Sequence, residues 1–273
     1  MTQDSGGPQQ STERSRASAS TAKTTRTRSP APVRPERVTN RGHVAWQGVI
    51  GELLITAGVL LFAFLAWQLW WTDVQGNHAQ AAIVKDLGWG TVPLPGDATT
   101  LQRRHDDPPV ADPPAHATTF ATLLVPRWGS DYQRPISEGV DRATVLNPRG
   151  IGHYPGTVMP GGVGNFSVAG HRTTYGEPFN LIADLVVGDP LVVRTQKAWY
   201  VYRVTSTEIV PSSDIGVVAA VPGQADAAPT ERMITLTTCH PMYSAKERYI
   251  VHGVLDYWTP AGGPIPTEVL GGA

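Results

Sequence analysis

From Leu53 to Trp71 the chain reads LLITAGVLLFAFLAWQLWW, with only Thr56 and Gln68 interrupting nineteen otherwise apolar or small residues. At 1.5 Å per residue this run spans about 28 Å as a helix, close to the roughly 30 Å hydrocarbon core of a bilayer. It is apolar on every side, which a helix packed at the surface of a soluble domain is not. Trp67, Trp70 and Trp71 gather at one end, where interfacial aromatics belong. The segment before it is basic: residues 1–43 carry eight Lys and Arg against three acids. Charge asymmetry of that kind predicts a membrane helix over 49–71, the N-terminus in the cytoplasm and everything after Trp71 outside. Ala79-Gln80-Ala81 is a candidate signal-peptidase site, but the long polar leader and long apolar core favour an uncleaved anchor.

The basic segment is rich in Ser and Thr and almost free of large apolar residues, so residues 1–48 are expected to form a disordered cytoplasmic tail. Over the whole chain 22 basic residues meet 23 acidic ones, leaving no global attraction for nucleic acid. Residues 72–115 carry Pro93, Pro95, Pro108, Pro109, Pro113 and Pro114 with no lasting period, which predicts a Pro-rich extracytoplasmic linker. Residues 116–260 hold one domain's worth of short apolar segments parted by turn chemistry, and 261–273 reads as a flexible tail. Strands are expected at 121–125, 143–146, 165–169, 190–194, 199–204, 233–237 and 249–255, with a short helix over 177–185. Many short strands and few helices predict an all-β barrel or sandwich. Trp199, Tyr200 and Tyr202 read as its packing.

The chain has a single cysteine, Cys239. An outward-facing domain with one cysteine forms no internal disulfide, so the thiol is free for intermolecular bridging or chemistry. It closes the β-branched run Met233-Ile234-Thr235-Leu236-Thr237-Thr238. The two-residue period of a strand puts Thr235, Thr237 and Cys239 on one face. Nine residues on, Arg248 heads a second strand, and Pro241–Glu247 reads as the hairpin loop that returns the guanidinium to the sulfur. His171 ends another apolar run, Phe166–Gly170. A thiol, a strand-end imidazole and an arginine are the parts that thiol acyl transfer requires.

Thr235-Leu236-Thr237-Thr238-Cys239 is similar to the TLxTC signature of sortases, the cysteine transpeptidases that join secreted proteins to the cell wall. Ala169-Gly170-His171-Arg172 resembles their histidine motif, and Arg248 stands at a spacing the family uses. Leu146-Asn147, Gly152-His153-Tyr154-Pro155-Gly156 and Thr174-Tyr175-Gly176-Glu177-Pro178-Phe179 resemble the class E branch of high-GC Gram-positive bacteria. The resemblance implies an eight-stranded β-barrel with short helices, preceded by one N-terminal transmembrane helix. It also implies cleavage of a Leu-Ala-x-Thr-Gly-like or Leu-Pro-x-Thr-Gly-like signal between Thr and Gly, with transfer to an amine of a peptidoglycan precursor (lipid II-like). In this scheme Cys239 is the nucleophile, His171 the acid and base, and Arg248 the donor to substrate or oxyanion. Thr238 would shape the thiol's surroundings, Tyr175 would line the peptide groove, and His240 and His153 lie within plausible reach as substrate-binding residues. Secreted proteins bearing a sorting signal are the expected partners, and no cofactor is implied: no carboxylate cluster suggests the calcium that some members use.

Four other readings meet specific objections. Papain-like enzymes open a helix with an early cysteine, whereas Cys239 closes a late strand. A zinc site from Cys239, His240, His171 and His153 lacks paired ligand spacing. A non-catalytic wall-associated β-domain would tolerate loss of Cys239. Pilus-polymerising sortases usually carry a lid with Asp-Pro followed by an aromatic, but Asp107-Pro108 and Asp112-Pro113 are each followed by proline.

Overall fold

Alternating apolar runs of this length bury one face only by pairing with neighbours, and eight of them close on themselves here. The computed structural model describes residues 44–90 and 103–270. The expected tail over 1–43, the linker's Pro93 and Pro95, and residues 271–273 lie outside the described residues. The strands are β1 (Thr119–Leu124), β2 (Gln133–Glu138), β3 (Ile151–His153), β4 (Gly164–Gly170), β5 (Pro190–Thr195), β6 (Ala198–Pro211), β7 (Arg232–His240) and β8 (Glu247–Pro260). They form a closed barrel in the order β1-β2-β3-β4-β7-β8-β6-β5. Pairing is antiparallel except for β2 with β3 and β4 with β7. Phe166, Val168, Leu191, Tyr202, Leu236 and Val251 are fully buried in the interior, with Trp199 and Tyr257 in a second cluster outside it. The eight-stranded all-β barrel is therefore as the sequence resemblance implied.

Several local expectations are corrected. Residues 143–146 are not a strand: Arg142–Leu146 wind into a π-helical turn, because the Asp141 carboxylate caps Ala143 N–H at 3.0 Å and Thr144 N–H at 2.9 Å. The helix expected over 177–185 shrinks to a 3₁₀ turn at Ile182–Asp184. Strands β2 and β3 were not anticipated; β2 carries Gln133, Arg134 and Pro135, a poor strand signature.

The larger correction concerns 72–115. One helix, α1, runs unbroken over Val44–Asp86, so the first part of the expected linker is helical. Its residues beyond the apolar run are polar because they dock on the barrel: Gln80 is fully buried and Asn77 Oδ1 accepts from Arg134 Nη2 at 2.7 Å. Further along, Arg104 pairs through both backbone groups with Trp258 at 3.0 Å, and the Tyr200 hydroxyl donates to the Pro109 carbonyl. This strap lies against the barrel. Residues 261–270 are no free tail either: the terminal helical turn Thr267–Leu270 holds Glu268 against Arg203 and the Tyr257 hydroxyl.

Upstream, α1 is the one helix among the described residues long and apolar enough to cross a membrane. Leu54, Phe62 and Trp70 all stand exposed along it.

Candidate active site

Strand β7 is flanked by β4 in parallel and β8 antiparallel, and this sandwiching decides what surrounds its C-terminal end. On the β8 side Cys239 lies directly opposite Arg248, so their side chains share a face. On the β4 side the last pair in register is Ala169 with Thr237, and His171 on that chain, like Cys239 on β7, follows two residues later. Thr238 Oγ1 donates to Gly170 O at 2.7 Å and ties the two strand ends together. The thiol is half-buried: neither sunk in the core nor projecting into solvent. A Cβ on Gly170 would meet Phe179 Cδ2 at 2.9 Å, so glycine lets the following loop fold back and close with Phe179 N–H on His171 O at 3.0 Å.

The imidazole of His171 is held by two neighbours. Nε2 sits 2.8 Å from Asn147 Oδ1, and the ring centroid lies 5.2 Å from that of Tyr175. An amide oxygen only accepts, so Nε2 carries the proton and Nδ1 keeps the lone pair. Burial, and secondarily the positive charge of Arg142, push the His171 pKa down to about 4. The imidazole is accordingly neutral at neutral pH, with the lone pair of Nδ1 open to accept a proton. Asn147 reaches it because the π-helical turn before it sets its backbone at the barrel's mouth.

Arg248 turns part of its fork toward its own hairpin, Nη1 donating to Ala245 O at 3.0 Å and Glu247 O at 2.9 Å. A second guanidinium, which sequence reading did not single out, reaches the cysteine backbone. Arg172 is almost buried, donates from Nη1 to His240 Nδ1 at 2.9 Å and to Cys239 O at 3.4 Å, and stands over the Tyr249 ring at 5.5 Å. It staples the loop after β4 to the end of β7, and its place directly after His171 was the only available signal. His240 is thus part of this cluster, its ring 5.8 Å from Tyr249.

Tyr175, Gly176 and Glu177 all adopt positive φ (55°, 78° and 38°), a run that only surrounding contacts can hold. Those contacts come from α1: Gln80 Nε2 donates to Tyr175 O at 2.8 Å, and Asp73 Oδ1 accepts from Gly176 N at 3.3 Å. Between them lies a cleft of about 320 Å³ lined by Thr72, Gln75, Gly76, Ala79, Ala143, Asn147, Pro148 and Tyr175.

His153 is a correction. It is fully buried on β3, with Nδ1 2.6 Å from Glu138 Oε2, Nε2 2.8 Å from Thr157 Oγ1, and its ring stacked on Phe166. Its pairing partner on β4 is Val168, two residues short of that strand's end, and the fully buried ring presents no surface to a substrate. Among the described residues no group of three or more His, Cys, Asp or Glu is placed to hold a metal ion. Another cavity, of about 280 Å³, is lined by Phe120, Met159, Tyr200 and the proline strap, away from Cys239.

The chain is similar to known proteins in sequence and in fold. The Sortase domain family model matches residues 123–256. Sortase SrtE2 of Streptomyces coelicolor is 34% identical over 227 residues, covering 78% of this chain and 84% of that protein. Sortase SrtE1 of the same organism is 40% identical over 210 residues, covering 75% of this chain; the match spans only 55% of that protein's length. Among solved structures, the SrtA sortase from Actinomyces oris superposes with a TM-score of 0.59 at 41% identity, over 62% of this chain and 97% of that one. Sortase E1 from Streptomyces coelicolor, solved with a tripeptide in its active site, gives a TM-score of 0.50 at 39% identity, over 54% of this chain and 95% of that one.

Proposed function

Because the chain belongs to the sortase family of cysteine transpeptidases, we propose that it is a membrane-anchored enzyme that cleaves a C-terminal sorting signal between Thr and Gly. The protein so released is joined to an amine of a peptidoglycan precursor. The observation that carries this reading is the direct register of Cys239 with Arg248, beside the strand end that presents His171.

The steps follow from the site's chemistry. Cys239 Sγ attacks the threonine carbonyl carbon while its proton passes to His171 Nδ1. The oxyanion so formed faces the Arg248 guanidinium, a fixed charge with several donors in a planar fork. As the C–N bond breaks, the imidazolium hands its proton to the departing glycine amine. An imidazolium destabilised by burial is a strong acid, which suits that transfer. The thioacyl carbon is then attacked by the incoming amine, whose proton returns to His171. The thiolate leaves and is reprotonated. Thr238 fixes the strand end beneath the sulfur, Tyr175 borders the peptide groove, and His240 braces the loop through Arg172.

Location follows from α1 and the charges before it. The helix is read as a single-pass anchor with its N-terminus in the cytoplasm and the barrel outside. The clients are secreted proteins ending in a sorting signal, and the acceptor is a lipid II-like amine. The direct test incubates the full chain in detergent with Leu-Ala-x-Thr-Gly and Leu-Pro-x-Thr-Gly peptides and an added amine. A Thr–amine ligation product is expected from at least one peptide, and none from Cys239→Ala. Ligation from neither peptide, or undiminished ligation by the alanine variant, overturns the assignment.

A further inference from the structure

The barrel has two ends, and α1 tells them apart. At the mouth β4 and β7 finish and β8 begins, with His171, Cys239 and Arg248. Strand β6 runs antiparallel to β8, so it begins at the far end. Asp73 and Gly76 of α1 meet the loop just past β4, at Gly176 and Tyr175. Trp89, just beyond the helix, already lies with Thr195 and Lys197 of the β5–β6 turn, at the far end. The helix therefore descends from the mouth, and its apolar run, which precedes Thr72, projects beyond the mouth. Outside α1, most of the large apolar side chains exposed among the described residues gather at this same end. Leu181, Val186 and Val187 stand between β4 and β5, Ile215 follows β6, and Met242 and Tyr243 lie in the β7–β8 hairpin. None of the six belongs to a strand, so the alternation that fills the barrel does not require them. With exposures of 81%, 80% and 70%, Ile215, Tyr243 and Val187 touch little of their own protein.

Resting on the membrane-anchor reading above, we propose that this rim is a second membrane contact: Val187, Ile215 and Tyr243 seat in the interfacial layer of the bilayer that α1 crosses and hold the mouth against the lipid. The helix identifies the occupant. Trp70 and Trp71, at the end of the apolar run, mark the headgroup level. Asp73, which accepts from Gly176 N–H at the rim, is only two residues further, about 3 Å along the axis. Loops that rise past the strand ends beside that point meet headgroups rather than bulk water, and the gap leaves no room for an intervening protein. The group at 181–187 adjoins the helix through one short chain of contacts. The Tyr132 hydroxyl donates to Pro178 O in that segment, and Arg134, two residues on, donates to Asn77 of α1. The side chains also suit the layer. Valine and isoleucine leave water, while a tyrosine ring sinks with its hydroxyl kept among the headgroups. A soluble surface scatters such residues singly, whereas here three loops present them on one rim.

The single cysteine makes the test direct, because Cys239→Ala leaves a chain without thiols. In that background Val187→Cys, Ile215→Cys and Tyr243→Cys are each labelled with a fluorophore, and the full chain is reconstituted into phosphatidylcholine vesicles containing nitroxide-bearing lipids. Val163→Cys, exposed just before β4 at the far end, is the aqueous reference, and Leu60→Cys is the reference within the apolar run. Quenching by lipids with the nitroxide near the headgroup should be at least threefold stronger at the three rim positions than at 163. The label at 60 should be quenched by nitroxides deep in the acyl chains. Rim labels quenched no more than the label at 163, with the label at 60 quenched, overturn the proposal and leave the anchor standing. An unquenched label at 60 defeats the anchor reading, and the rim contact falls with it.

Discussion

At the scale of single residues, two side chains separate the chemistry from its support. Asn147 accepts the hydrogen bond of His171 Nε2–H without bringing a charge, and burial keeps that imidazole neutral down to about pH 4. A group whose folded pKa lies below its unfolded value binds fewer protons folded than unfolded across the interval between them. Its contribution to stability is therefore complete above about pH 6.5 and is lost as pH falls toward 4. On the proposed mechanism activity should share that limb, because a protonated His171 could not accept the thiol proton. Asn147→Asp puts a carboxylate against Nε2 and favours the imidazolium. The acid limb of kcat/KM should then move upward by one unit or more, and the loss of melting temperature between pH 6.5 and 4 should shrink. A limb that stays in place would show that Asn147 does not set the state of His171. His153 is the opposite case. Removing its ring in His153→Leu leaves the Glu138 carboxylate buried without its partner, at a cost of about 3 kcal/mol. Urea unfolding should register that loss, while kcat/KM per titrated thiol stays within twofold; a selective rise in KM would return His153 to the groove.

At the scale of elements, legibility in the sequence followed the range of the interactions. The β7–β8 hairpin is local, so the run ending at Cys239 and the return at Arg248 already carried the pairing of thiol with guanidinium. His171 was readable as the end of an apolar run, but its following a strand paired with β7 depends on the parallel β4–β7 contact, which no local pattern encodes. Asn147, quoted only as part of a resemblance, was given no role for a different reason. Ala143-Thr144-Val145-Leu146 is as good a strand as a buried helical turn by composition, and four residues are too few for periodicity to decide. Only the Asp141 side chain, folding back on two amide groups, settles it. Arg172 resembled any charged residue after a strand until its burial between His240 and Tyr249 was visible. The reading of 72–86 as a tether failed because polar residues were equated with solvent. Asp73, Asn77 and Gln80 are polar for the sake of backbone and side-chain groups on the barrel.

At the scale of the whole molecule, the docked helix changes where catalysis happens. A flexible leash would let the barrel work far from the lipid, whereas α1 passes without a break from the Trp70–Trp71 end of the apolar run into the cleft wall at Thr72. At 1.5 Å per residue, Gly76 lies only about 7 Å along the axis from Trp71. Read as an anchor, this helix holds the groove at headgroup level, within reach of a substrate held in the same bilayer. Inserting seven residues between Trp71 and Thr72 tests this. Two turns raise the docked barrel by about 10 Å and rotate it by only about 20°, leaving the contacts of residues 72–80 intact. Ligation of a short soluble peptide should stay within twofold of the parent. Ligation of a substrate anchored in the same bilayer immediately after its signal should fall at least tenfold, and a seven-residue spacer placed after that signal should restore it. Equal loss on both substrates would mean that the insertion damaged the site. No loss on either would mean that the height of the groove above the membrane is immaterial and that the docked part of α1 serves only the loop at Tyr175.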